Sequence, residues 1–379
     1  MRGADYILER VRQNPLAGDT VPLYEQARTF AREHADTAAL ESEDGARAIV
    51  RMLGASGLLL HIGRPFRLGS LAAVREGLAY EHGLLDLMFA MQGLGSYGIF
   101  LTGSDEQRAA YVGAAQRGEK IAAFAATEPE AGSDLASLGT AATRVGREYV
   151  INGSKVFISN GGIADFYTVL AKTDPAAGPK GISMFVVEAG DPGFEVARRQ
   201  AVLAYHPMAE LRFRDCHVPA ARLVGREGDG YKTALAVLET FRTSVASAAL
   251  GMAERALAEA LDHAQARRQF GKALAEQPAV QARLADMAVD VEAARLLVYR
   301  AVARRDGGVD RIPLESASAK MFATEAAQRV IDSAVQLLGG RGVEKGSATE
   351  RLYREVRALR IYEGATDILK MVAAAQLLR

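Results

Sequence analysis

The chain has 379 residues, 49% apolar and 24% charged, with Lys+Arg and Asp+Glu equal at 46 each. That length calls for two or three domains, and the balanced charge gives no support for nucleic acid or a membrane surface as the main partner. A single cysteine, Cys216, excludes an intrachain disulfide, and six scattered histidines offer little for a metal, so no metal site is expected.

The N-terminal stretch MRGADYILERVRQNP has charge but no apolar run of signal-peptide length. No stretch reaches about 18 uninterrupted apolar residues, so no membrane span is expected; a cytoplasmic enzyme fits. Residues 1–118 read as helical. Within them AYEHGLLDLMFAMQGLGSYGIFL is almost uncharged, which predicts a buried helix. Its GLGSYG matches G-x-G-x-x-G, but no strand precedes it, so its glycines are expected to permit close helix packing instead of a dinucleotide turn.

Residues 119–224 change character. IAAFAAT, DFYTVLAKT, GISMFVVEA and AELRFRDCHV are short apolar runs bounded by Gly, Pro or Asp. EYVINGSKVFIS places Asn152-Gly153 between two strand-like runs, a hairpin signal. Residues 225–379 return to helix; Leu284, Met287, Val291, Ala294 and Val298 recur at three- and four-residue steps, giving one apolar face. The predicted class is α+β: an N-terminal all-α domain (1–118), a middle antiparallel β-sandwich or barrel (119–224) and a C-terminal helical bundle (225–379).

Several short stretches carry candidate chemistry. TEPEAGSD at 127–134 leaves a strand with two hydroxyls, Thr127 and Ser133, and a glycine, which suits close approach to phosphate or a polar ring edge. It equally suits a surface turn. In VFIS, Phe157 and Ser159 alternate onto one strand face, where they could line a planar cofactor or a sandwich core. RRQFG at 267–271 could serve phosphate or cover a helix C-terminus. AVQLLGGRG at 334–342 reads as a glycine-ended helix. Arg242 precedes a helix rich in small residues. Near the end, RIYEGATDIL sets Glu363 between Tyr362 and Gly364.

In order and spacing, TEPEAGSD, NGSKVFISNG, RRQFG, AVQLLGG and IYEGATDI resemble the acyl-CoA dehydrogenase family of flavoproteins over essentially the whole chain. The resemblance implies an N-terminal helical domain, a middle β-domain and a C-terminal four-helix domain. It implies bound FAD, part of which reaches a neighbouring subunit, and a homodimer or homotetramer. Ala126, Thr127 and Ser133 fall on the first flavin loop, with Ser133 also near the substrate thioester arm. Phe157 stands where the family usually has Trp against the flavin. Ser159 stands where Ser or Thr reaches flavin N5. Arg267 and Phe270 match contacts to the partner subunit's FAD, and Gln336 and Gly340 match positions near its adenine end. Arg242 matches an Arg at the acyl-CoA site.

Glu363 matches the catalytic base. The family's usual Gly-Thr after it is here Gly364-Ala365, with Thr366 one step later as the candidate cofactor contact. The implied reaction is α,β-dehydrogenation of an acyl thioester. The Glu363 carboxylate takes the α proton, the β hydride goes to flavin N5, and the Glu363 backbone N–H with a flavin ribityl hydroxyl holds the thioester oxygen. Tyr362 would wall the pocket and Tyr97 could line its acyl end. The helix holding GLLDLMFAMQGLGSYG lacks the Arg usual in relatives that decarboxylate dicarboxylic substrates. The expected electron acceptor is an electron-transfer flavoprotein. Two other readings are carried: a same-fold flavin oxidase, monooxygenase or carrier-protein-linked dehydrogenase, and a non-catalytic assembly protein.

Overall fold

A computed structural model describes residues 2–39 and 41–378. Helices dominate before residue 120 and after residue 229, where a two-stranded ribbon pairs Arg268–Gln269 with Lys272–Ala273, and the main sheet's strands β1–β8 lie between Ala122 and Val224. The chain divides into two compact units. One comprises residues 1–35, 67–86 and 239–379; the other comprises 36–66 and 87–238.

The second unit is built on one mixed eight-stranded sheet. Its strands are β1 (Ala122–Ala125), β2 (Ala141–Val145), β3 (Glu148–Ser159), β4 (Phe166–Lys172), β5 (Ile182–Glu188), β6 (Phe194–Arg199), β7 (Met208–Pro219) and β8 (Leu223–Val224). They run in the order β6-β7-β3-β2-β4-β5-β8, and β1 joins parallel to β4. β4 and β5 are buried along nearly their whole length, as expected of apolar runs covered on both faces. Cys216 is a buried thiol in β7.

The helix Gly83–Thr102 is long and apolar enough to cross a membrane by length and composition, but 83% of that window is buried inside the protein. Its GLGSYG glycines serve packing. A Cβ on Gly95 would sit 2.6 Å from the Ala123 nitrogen of β1, and the Thr168 hydroxyl donates to the Gly95 carbonyl (3.1 Å). Only a residue without a side chain admits that approach.

Asn152-Gly153 is not a hairpin turn. β3 runs through it, and the reversal falls earlier, where Val145 pairs with Glu148. At Asn152-Gly153 the ladder to β7 slips by one residue. Asn152 fills the slip: its Oδ1 accepts from the Asp215 N–H (2.8 Å) and its Nδ2 donates to Asp215 Oδ1 (3.1 Å). The dipeptide chemistry that favours tight turns serves a bulge equally well, and pairing with β7 decides between them.

The first unit is helical. Val21–Glu33 packs on Leu68–Glu81, and Pro278–Asp306 packs on Pro313–Leu338, which also contacts Ala348–Leu359 and Thr366–Leu377. Met287, Val291, Ala294 and Val298 are buried as the periodicity predicts. Several polar groups deep in this unit pair with one another. Arg295 donates to Glu254 (2.5 Å), Tyr24 to Glu254 (3.2 Å) and Tyr299 to Glu76 (2.7 Å). Burial, reinforced by Glu254, pushes the Glu76 carboxyl well above its ordinary range.

Candidate active site

β1 ends at Ala125 and releases the loop that carries Ala126, Thr127 and Ser133. Its shape is fixed from inside by Glu128. One carboxylate oxygen accepts from Lys155 Nζ (2.7 Å) and the Thr140 N–H (3.1 Å); the other accepts from the Gly139 N–H (2.6 Å). Lys155, fully buried, also donates to the Ala126 carbonyl (3.2 Å). Burial pushes Lys155 down to about 8 against the pull of Glu128. For Glu128 burial acts upward, but the Lys155 charge and the hydrogen bonds win and hold it low. The Thr127 carbonyl accepts from the Val156 N–H (2.9 Å), which ties the loop to β3. Thr127 is half-buried and Ser133 is exposed.

The same strand then presents Phe157. Its backbone is left-handed (φ 55°), the residue is 58% exposed, and its N–H donates to Gln200 Oε1 (2.8 Å). An aromatic side chain at positive φ is strained, and it persists where neighbours over-determine it. Two residues on, the half-buried Ser159 hydroxyl lies 2.8 Å from His206 Nε2. Thr127 is thus tied to β3 one residue before Phe157, and Ser159 follows at the strand's end. Tyr97 lies in that unit too, almost fully buried, its ring 4.8 Å from Phe66 and 5.3 Å from Phe100.

Glu363 sits in the helical unit, on the turn between Ala348–Leu359 and Thr366–Leu377, also left-handed (φ 52°). Two cations clamp this turn. Arg242 Nε donates to the Glu363 carbonyl (2.9 Å), and Lys320 Nζ donates to the Gly364 carbonyl (2.6 Å). The Glu363 N–H donates to no acceptor among the described residues, and its Oε2 is buried without a partner. Burial raises the Glu363 pKa; Arg75, Lys320 and Arg242 pull it down, and Asp86 pushes it up. Arg75 is itself held by Asp86 through two hydrogen bonds (2.8 and 2.9 Å) and by Ser244 (2.9 Å). Lys320 is pushed down to about 8 by burial, with Glu363 opposing. Burial likewise lowers Arg242 and raises the half-buried Tyr362 beside this cluster.

Gly364 has φ 105°, and a Cβ there would lie 2.9 Å from Leu369 Cδ2 and 3.3 Å from Arg242 Nε. We expect Gly364→Ala to cost about 1–3 kcal/mol of stability and to displace the carboxylate. Thermal melting and turnover check this: an unchanged melting temperature with full turnover would contradict it.

Thr366 opens the last helix. Its hydroxyl donates to Glu325 Oε1 (2.8 Å), and Glu325 also pairs with Arg360 (2.7 Å). Ala365 at the N-cap supplies no side-chain cap. A cavity of about 470 Å³ opens here, lined by residues including Arg329, Arg360, Ala365, Thr366 and Lys370. Arg267, Phe270, Gln336 and Gly340 belong to the same unit but are exposed, Phe270 by 94% at φ 53°. Lys320 and Gln336 share one helix, 16 residues and so about 24 Å apart. Gln336 therefore cannot reach the Glu363 turn of its own chain.

The sequence reading did not single out Arg75, Asp86, Lys320, Glu128, Lys155 or Gln200. Lys320 left a signal: it shares a buried helix face with Ala317, Ala323, Thr324 and Ala327, where a lysine requires a partner.

Residues 123–216 match the family model for the acyl-CoA dehydrogenase middle domain, and residues 228–378 match that for the acyl-CoA dehydrogenase C-terminal domain. Cyclohex-1-ene-1-carbonyl-CoA dehydrogenase of Syntrophus aciditrophicus is 38% identical over 383 residues, covering 97% of this chain and 92% of that one. The chain belongs to the acyl-CoA dehydrogenase family. Among solved structures, butyryl-CoA dehydrogenase from Megasphaera elsdenii superimposes with a TM-score of 0.88 at 31% identity, covering 97% of this chain and 99% of that one. An acyl-CoA dehydrogenase complexed with FAD from Bacillus anthracis gives 0.88 at 28% identity, covering 96% and 67%. As an acyl-CoA dehydrogenase family member the chain is an oxidoreductase acting on CH–CH bonds. Within the sheet unit the exposed Phe157 offers a flat apolar surface; within the helical unit the Glu363 N–H and the uncapped helix start at Ala365 are donors that an anion or a carbonyl oxygen could satisfy.

Proposed function

We propose that this protein catalyses α,β-dehydrogenation of an acyl-CoA thioester with Glu363 as the base. The observation that carries the reading is the Glu363 carboxylate itself: one oxygen is buried with no partner, on a turn held by Arg242 and Lys320. Burial raises the carboxylate's pKa and so strengthens it as a base, while three nearby cations oppose that rise. Its unpaired N–H is the donor for the thioester oxygen, where negative charge gathers as the α proton leaves. Phe157 stacks on the cofactor ring and Ser159 offers that ring its hydroxyl; Thr127 and Ser133 hold the cofactor's polar parts. FAD, when bound, accepts the β hydride. Arg242 lies at the acyl-CoA site, Tyr362 walls the pocket beside Glu363, and Tyr97 lines the acyl end. Arg267, Phe270, Gln336 and Gly340, all open to solvent, serve the FAD of a partner subunit in a cytoplasmic homodimer or homotetramer. The reduced protein passes electrons to an electron-transfer flavoprotein.

The segment 87–102 of the helix Gly83–Thr102 contains no Arg or Lys, which supports a neutral acyl group. In an anaerobic panel, butyryl-CoA and alicyclic acyl-CoAs are expected to bleach the bound flavin, and glutaryl-CoA to release no CO₂. Flavin that stays oxidised with every acyl-CoA would sink the reading; CO₂ from glutaryl-CoA would sink the neutral-acyl assignment alone.

A further inference from the structure

The segment 200–208, running from the end of β6 into the first residue of β7, makes an unusual set of bonds to β3. The β3–β7 ladder breaks between Lys155/Leu211 and Ile158/Ala209. At that break and just beyond it the segment bonds to β3 and the residue after it. Gln200 Oε1 accepts from the Phe157 N–H (2.8 Å), His206 Nε2 meets the Ser159 hydroxyl (2.8 Å), and the Pro207 carbonyl accepts from the Asn160 N–H (2.7 Å). The neck of the segment is closed by the Gln200 N–H donating to the Met208 carbonyl (2.8 Å). Both residues read above as facing the cofactor ring are therefore held by one loop.

A serine hydroxyl carries one proton and rotates freely unless a neighbour fixes it. At 2.8 Å His206 is such a neighbour. Burial pushes its pKa down to about 4, so the ring is neutral at neutral pH, with one nitrogen a donor and the other an acceptor. If Nε2 carries the proton, His206 donates to Ser159 Oγ and the serine proton is left for another acceptor.

We propose that His206 is a positioning residue: from the 200–208 loop its Nε2–H fixes the Ser159 hydroxyl and so sets the hydrogen bond that hydroxyl offers the isoalloxazine ring. The proposal rests on the reading of Ser159 as a ring-facing residue.

The test compares Ser159→Ala, His206→Leu, His206→Gln and the Ser159→Ala/His206→Leu double variant, each with FAD bound. The readouts are the two-electron potential and the visible band of the flavin. Ser159→Ala and His206→Leu should each shift the reduced-to-oxidised ratio about fivefold in the same direction, about 20 mV, as for loss of one hydrogen bond. The double variant should move no further. His206→Gln, whose amide can donate from a similar place, should stay near wild type. Should His206→Leu fail to fold, His206→Asn, whose shorter amide falls short of Ser159, carries the same expectation. A wild-type potential in the His206 variant beside a shifted Ser159→Ala overturns the proposal, as does an additive double variant. If Ser159→Ala also leaves the potential unchanged, Ser159 does not face the ring and the proposal falls with that placement. Bleaching of the wild-type flavin by acyl-CoA is independent of these results and tests the function separately.

Discussion

Glu363→Gln should fold, retain FAD and lose about 10³-fold in turnover, within the range for removal of a positioned general base. The substitution keeps the shape of the side chain and leaves the clamps from Arg242 and Lys320 in place, because both act on backbone carbonyls. It removes the basic oxygen and nothing else that holds the turn. Flavin content and melting temperature near wild type, together with collapsed acyl-CoA turnover, is the expected pattern. Loss of FAD with the activity would instead make Glu363 a cofactor ligand.

Arg75→Met should have a second large effect, on stability and on pH dependence together. Arg75 is 2% exposed and holds Asp86, 3% exposed, through two hydrogen bonds. Removing the cation leaves a buried carboxylate without its partner, a change that costs about 3–5 kcal/mol. The same cation pulls the Glu363 pKa down while Asp86 pushes it up. Its loss therefore raises the Glu363 pKa further. Since the base must be ionised to act, the acidic limb of kcat/KM moves to higher pH in the variant. Chemical denaturation and a pH–rate profile check the two parts. A profile that stays in place would show that Arg75 does not act on Glu363.

The α–β–α order was legible because periodicity changes from three-to-four to short bounded runs and back, and the structure follows it from Ala122 to Val224. Glu363 and the flavin-loop residues were legible only as a set of motifs in order. What holds them was not. Asn152-Gly153 misled because a bulge and a turn use the same residues, and only pairing with Asp215 separates them. Lys155 and Lys320 were not singled out; their partners are distant in sequence, Glu128 and the Gly364 carbonyl. Thr366 looked free for the cofactor, whereas its hydroxyl proton goes to Glu325, 41 residues away. No motif marks His206; its bond to Ser159 needs the loop geometry of 200–208.

The most direct test of Glu363 as a base with a raised pKa is the single-turnover rate of flavin bleaching by an acyl-CoA, measured against pH under anaerobic conditions. For the wild type the rate should rise with pH along a limb set above the ordinary carboxylate range, the direction that burial gives Glu363. In Glu363→Gln that limb should vanish and bleaching should be slow at every pH. A Glu363→Gln variant that bleaches at the wild-type rate, with the same limb, would contradict the account.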